Sequence, residues 1–196
     1  MKSLWVSLFL LCSTLLLRGQ NEEQSHESIW PGLAHHISVS NGLGRDAAFG
    51  DLIAAFGLEY SVQLQVSPQV YAGVRTGIQW PEPGAGYALL PAQLAAKWLP
   101  EPTQHHPWYV YGSGGYAFGW FLHGNENVNR VQGGWGGELG LGRLWRVGTS
   151  TWISTSLGYL RQQSRIEYFD FWVGDAATLT NTTTMNRIQW RFGLFF

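Results

Sequence analysis

Cysteine is almost missing: the 196 residues contain one, Cys12. It lies inside an N-terminal apolar run. A mature chain cut after that run has no thiol, so disulfides, thiolate metal sites and cysteine redox chemistry are excluded. Charge is scarce as well. Asp, Glu, Lys and Arg make up 13% of the residues against 15% aromatics, an unusual balance for a water-soluble domain of this size. No cluster of Lys or Arg is present, which argues against nucleic acid as a partner. Beyond residue 17 there is no long apolar run either: the nearest, Ala88 to Leu99, is broken by Pro91, Gln93 and Lys97. Membrane-spanning helices, which need about 20 consecutive apolar residues, are therefore ruled out.

At the N-terminus, Lys2 precedes the charge-free apolar stretch Leu4 to Leu17, and the chain turns polar at Arg18, Gly19, Gln20 and Asn21. This is the pattern of a secretory signal peptide, assigned to residues 1–19. Cleavage is expected near Gly19, with Leu17 bulkier than the small residue usual three positions before the cut. A lipid-acylated Cys12 is disfavoured by the bulky Leu11 before it. Export removes two of the 12 basic residues, Lys2 and Arg18, and none of the 13 acidic ones, leaving a net charge of about −3. Residues 20–30 form a short polar segment. An exported, aromatic-rich, charge-poor chain without helical spans points to a β-barrel over residues 31–196, the other structure that satisfies every backbone group in lipid.

Period-two alternation supports this. Ile188, Trp190, Phe192, Leu194 and Phe196 alternate with Arg187, Gln189, Arg191, Gly193 and Phe195. Phe56, Leu58, Tyr60, Val62 and Leu64 oppose Gly57, Glu59, Ser61 and Gln63; Val70 to Trp80 repeats the pattern. Further strands are expected at 33–41, 87–99, 108–122, 132–147 and 150–164, for a total of eight. The fold class is thus all-β, an eight-stranded antiparallel up-and-down transmembrane barrel. Turns fall at Gln65–Gln69, Pro100–Pro107 and Gly148–Thr149, and outer loops at 42–51, 81–86, 123–131 and 165–182. Indole rings favour lipid–water interfaces. Trp80, Trp120 and Trp135 fall near the outer rim and Trp98, Trp108, Trp145 and Trp152 near the periplasmic rim, leaving Trp190 mid-strand. A bulge is expected at Pro91, which lacks a ladder donor.

The last strand reads Asn186-Arg-Ile-Gln-Trp-Arg-Phe-Gly-Leu-Phe-Phe196, ending in an aromatic residue, and another reads Leu89-Leu-Pro-Ala-Gln-Leu-Ala-Ala-Lys-Trp98. On these segments the chain resembles the small outer-membrane β-barrels of Gram-negative bacteria, typified by the transmembrane domain of outer-membrane protein A and its porin-family relatives. The resemblance covers residues 31–196 and implies architecture, not activity. It also implies residence in the outer membrane of a Gram-negative bacterium, contact with outer-membrane lipid and lipopolysaccharide, and recognition of Phe196 by the barrel-assembly machinery.

By phase, Glu59, Arg75, Lys97, Glu138, Arg146, Arg187 and Arg191 point inward. Eight strands enclose room only for side chains, so these are expected to form an interior polar network. Glu59 and Arg75, eight residues either side of Ser67, are expected to face each other across one hairpin. A serine hydrolase built from His36, Ser38, His123 and Glu126 is the sharper alternative. The lipid A deacylases of the resembled group carry a His-x-Ser pair on a late strand, where this chain reads Tyr159-Leu-Arg-Gln-Gln-Ser164, so no catalytic residue is assigned. The pairs His35-His36 and His105-His106 lack a nearby carboxylate, so no metal is assigned and they read as solvated loop histidines. Gly133 to Gly142 lacks the Lys-Ser or Lys-Thr of a nucleotide loop and reads as small residues in a tight barrel, and no cofactor is assigned. Asn181-Thr-Thr183 is a chance glycosylation match in a bacterial host. Phe169, Phe171 and Trp172 form an aromatic cluster suited to contact an external ligand. A soluble lipocalin-like carrier would need an apolar interior instead. The expected function is a non-enzymatic surface barrel acting through its outer loops.

Overall fold

The computed structural model describes residues 32–46, 52–82, 86–104, 106–121, 128–169 and 178–196. The proposed signal peptide, the segment 20–30, His105, His123, Glu126, Phe171 and Trp172 lie outside the described residues. Every regular element is a strand: β1 (Leu33–Asp46), β2 (Leu52–Ser67), β3 (Val70–Trp80), β4 (Tyr87–Trp98), β5 (Trp108–Phe121), β6 (Val128–Gln132), β7 (Gly134–Arg146), β8 (Trp152–Phe169) and β9 (Thr178–Phe195). All pairings are antiparallel, each between neighbours in sequence, and β1 closes the sheet on β9. Segments β6 and β7 both pair with β8 and are broken only at Gly133, so they form one stave and the barrel has eight. Gly133 is required there, because a Cβ would run into the carbonyl of Ala117.

Both termini of the barrel lie at the end carrying the short connections, and the other end carries the loops. The strands run further toward the loops than expected. The loop expected at 42–51 narrows to 47–51, that at 123–131 starts β6 at Val128, and that at 165–182 narrows to 170–177. A hairpin needs only backbone partners to continue, and Ser164 and Ile166 still turn inward, so the ladder outlasts the alternation that marks lipid contact. Strands β8 and β9 reach 18 residues each, against 11 and 12 for β3 and β4.

Two expected irregularities come out differently. Pro91 makes no bulge: β3 and β4 pair at Thr76–Ala92 and again at Gln79–Leu89, so the ladder lapses over two residues on each strand and the register is kept. The bulge lies instead at the β2–β3 turn, between Gln65 and Ser67. The turn itself falls at Pro68–Gln69, past Ser67, so Arg75 opposes Ser61 and Glu59 opposes Gly77, not each other. The long connection after β4 is an anchored structure. Leu99 is buried and its N–H donates to the Gln69 carbonyl at 2.8 Å, while the Leu144 N–H donates to the Pro107 carbonyl at 3.0 Å.

The outer surface is a continuous apolar belt, with Val39, Phe56, Leu58, Val74, Leu94, Phe118, Leu139, Leu141, Ile188, Trp190 and Phe192 all exposed. Buried positions on the same strands include Ser38, Ser40, Glu59, Arg75, Gln93, Glu138, Gln189 and Arg191. Apolar outside and polar inside is the inverse of a soluble carrier and suits a lipid surround.

Candidate functional site: the filled lumen

Alternation puts one set of side chains from each strand into the lumen, and the mid-barrel layer brings together two acids and two guanidinium groups from four strands. The Arg191 Nε on β9 donates to Glu59 Oε2 on β2 at 2.8 Å, and its terminal nitrogens donate to Glu138 on β7. Arg75 on β3 reaches Glu138 Oε2 with both Nη atoms at 3.0 Å and stands 3.6 Å from Glu59 Oε2. The four charges thus form a closed ring, Glu59–Arg191–Glu138–Arg75, that ties opposite walls together. Remaining lone pairs are filled by neighbours. Ser40, Gln79 and Gln189 donate to Glu59 Oε1 at 3.2, 3.3 and 3.2 Å. The Tyr111 hydroxyl donates to Glu138 Oε1 at 2.7 Å and accepts from Arg191 Nη1 at 3.0 Å. Gln93 Oε1 accepts from Arg75 Nε at 3.0 Å and from Ser113 Oγ at 3.2 Å. Buried ions are tolerated only when paired and fully hydrogen-bonded, and this arrangement meets that condition for all four.

Tyr111 reaches the ring by lying across the two neighbouring strands, where glycines leave room for its side chain. Gly140 on β7 and Gly158 on β8 are register partners, and a Cβ on either would strike the Tyr111 hydroxyl. The glycine-rich stretch is therefore a slot for tyrosine.

Below the ring, toward the short turns, lies a different layer: Ala34, Tyr71, Leu99, Tyr109, Leu144, Trp152 and Phe195 pack as an apolar plug. Trp152, expected in the lipid-facing girdle at the periplasmic rim, belongs to this plug with 4% of its surface exposed. Even-numbered residues of β8 face inward, so its indole closes the lumen instead of meeting lipid. Arg146 also departs from expectation. It has the inward phase but sits past the last layer, exposed, donating to the turn carbonyls of Gly148 and Thr149. Arg187 is buried on the loop side of the ring, where its Nη2 contacts Met185 Sδ at 2.9 Å. Lys97 is buried above the plug, its Nζ 3.7 Å from the Phe195 ring centroid and 4.7 Å from that of Tyr109.

The remaining indoles divide by end. Trp98, Trp108 and Trp145 stand at the turn end, and Trp80, Trp120 and Trp135 near the loops, while Trp190 is exposed at mid-height. Arg143 lies against two of them, 5.1 Å from Trp108 and 6.0 Å from Trp145. Phe169 is the last residue of β8. Phe196 exchanges both backbone hydrogen bonds with His35, at 2.7 and 2.9 Å, and its ring stacks on the His35 imidazole at 5.7 Å.

The histidines of β1 are strand residues, not loop residues. His35 faces outward, hydrogen-bonded to Tyr60 at 2.7 Å; His36 faces inward. Sequence reasoning missed the inner partner: His36 Nε2 lies 2.7 Å from Ser154 Oγ on β8. A hydrolase needs a carboxylate behind the histidine and an open approach to the serine. Among the described residues Ser154 is the hydrogen-bond partner of the His36 ring, Phe195 packs against that ring at 5.5 Å, and Ser154 is buried. The pair is a strand-to-strand tie across the seam. No three His, Cys, Asp or Glu side chains converge among the described residues.

A closed eight-stranded barrel with an apolar coat and a charged, filled interior is the build of a small outer-membrane protein. A solved structure of that kind shares the fold. The chain is similar to the solid-state NMR structure of outer membrane protein AlkL in DMPC lipid bilayers, with a TM-score of 0.57 and 11% identity over 90% of this chain and 94% of that one. It also aligns with outer membrane protein OprG from Pseudomonas aeruginosa, at a TM-score of 0.48 and 12% identity over 89% of this chain and 98% of that one. An alignment with the translocator domain of autotransporter NalP from Neisseria meningitidis has a TM-score of 0.32 and 10% identity, covering 100% of this chain and 96% of that one. No protein-family model matches the chain, and no curated protein sequence does.

Proposed function

We propose that the chain is exported, cut near Gly19, and resides in the outer membrane as a non-enzymatic barrel that serves the envelope as a structural or surface-interaction protein. The observation that carries this reading is the closed Glu59–Arg191–Glu138–Arg75 ring across the lumen. A lumen crossed by four mutually paired charges offers no water-filled path and no open nucleophile. Specificity would then belong to the outer loops, with Phe169, Phe171 and Trp172 as the aromatic contact for a surface ligand. Outer-membrane lipid and lipopolysaccharide would surround the apolar belt, and the barrel-assembly machinery would read the closing strand at Phe196.

The test is electrical and biochemical together. The protein should fractionate with the outer membrane and migrate differently on gels when unheated. Purified and placed in planar bilayers, it should show no steady large conductance. Stable porin-sized openings, or recovery in the soluble periplasmic fraction, would overturn the reading.

A further inference from the structure

The ammonium of Lys97 has no counter-ion in the ring. The buried side chains described include two acids, Glu59 and Glu138, both already engaged by Arg75 and Arg191. Lys97 is buried to 3% exposure, and among the described residues its Nζ has no hydrogen-bond partner. An ammonium carries three donors and no acceptor. The faces of Phe195 and Tyr109 favour a cation at this place but accept none of its hydrogens conventionally.

Lys97 lines a cavity of about 30 Å³ between the ring and the plug, room for on the order of two waters or one small ion. Its charged lining is three cations, Arg75, Lys97 and Arg191, against one carboxylate, Glu59, whose oxygens already receive five donors. Two further liners are buried and unsatisfied: Ser61 Oγ and Gln63 Oε1 lack partners among the described residues. The serine hydroxyl can donate into the cavity, and the Gln63 amide, turned over, presents an N–H there with no change of shape.

We propose that this cavity is a monovalent-anion site of halide size, with Lys97 as its charge and Ser61 and Gln63 as its neutral donors. The bound anion supplies the counter-charge that the ring does not offer Lys97. Its place beside the plug makes it a structural ion, locked between the ring above and Phe195 below.

Bromide is the probe. The full barrel is refolded in detergent in sodium bromide and crystallised, and anomalous diffraction is measured for the wild type, Lys97→Gln and Ser61→Ala. The expected result is anomalous density within hydrogen-bonding reach of Lys97 Nζ in the wild type, weaker in Ser61→Ala and lost in Lys97→Gln. At constant ionic strength the wild type should also unfold at higher urea in chloride than in gluconate. Wild-type crystals without anomalous density there would overturn the proposal, leaving a cavity that holds water. Density of equal strength in Lys97→Gln would overturn it too, as an adventitious ion only. If Lys97→Gln fails to fold, the wild-type and Ser61→Ala crystals decide alone.

Discussion

The middle of the lumen and its turn end are both sealed, by opposite chemistry. At mid-height four charged groups hold β2, β3, β7 and β9 through directional bonds, and each group depends on two of the others. At the turn end Tyr71, Leu99, Leu144, Trp152 and Phe195 fill the same cross-section by shape. A ring of ions fails as a unit, because removing one partner leaves the others buried with an unbalanced charge. A packed plug fails by degrees, because each truncation loses its own contacts and little else. The contrast teaches that one barrel can use polar bonds to fix which walls meet and apolar packing to shut the end.

The sharpest way to break the comparison is Arg191→Met, which leaves two buried carboxylates sharing the single guanidinium of Arg75. Unfolding by urea in detergent should show a loss of about 3–5 kcal/mol, and neutralising all four ring residues together should recover much of it. Double-mutant cycles add a gradient: Glu59 should couple to Arg191 at 2.8 Å more strongly than to Arg75 at 3.6 Å. If Arg191→Met costs less than a plug truncation, the ring does not hold the walls.

In the plug, Trp152→Ala should cost about 3 kcal/mol, with no rescue from any ring variant. A smaller change probes the glycine slot: Gly158→Ala should lose about 1–3 kcal/mol by overpacking, and adding Tyr111→Phe should relieve part of it because the struck atom is the hydroxyl. Rescue that fails would mean that the backbone at Leu139 sets the limit instead. Smallest of all, Trp135→Ala on the outer surface, where the side chain is 69% exposed, should shift unfolding in detergent by under about 1 kcal/mol. A larger loss there would show that the outside contributes what the comparison assigns to the inside.

Much of the fold was legible because one apolar face and one polar face repeat along the chain. Phase alone puts Glu59, Arg75, Lys97, Glu138, Arg187 and Arg191 inside. What phase does not carry is height. Arg146 has the right phase and Trp152 an aromatic ring at a strand end, yet the first sits below the last interior layer and the second within it. Register was misread by two residues at Glu59 and Arg75 because alternation does not mark where a turn is centred, and this one falls at Pro68–Gln69 and not on Ser67. The ring itself was out of reach, since it joins residues as far as 132 apart in sequence, and the His36–Ser154 contact spans 118. Tyr111, Gln93 and Gln189 were missed although they share the inward phase, because an uncharged residue among small ones gives no sign of which partner it meets.

The unequal strand lengths have a consequence for how the molecule meets its surroundings. The β8–β9 hairpin carries seven more residues per strand than β3, roughly 20 Å of extra ribbon at about 3.3 Å per residue. Its upper rungs pair Arg165 with Thr182 and Glu167 with Thr180, polar residues suited to water. Among the described residues the strand ends therefore stand taller at β8–β9 than at β3–β4, which gives the loop end of the cylinder two unlike sides. A molecule arriving from outside meets the taller side first.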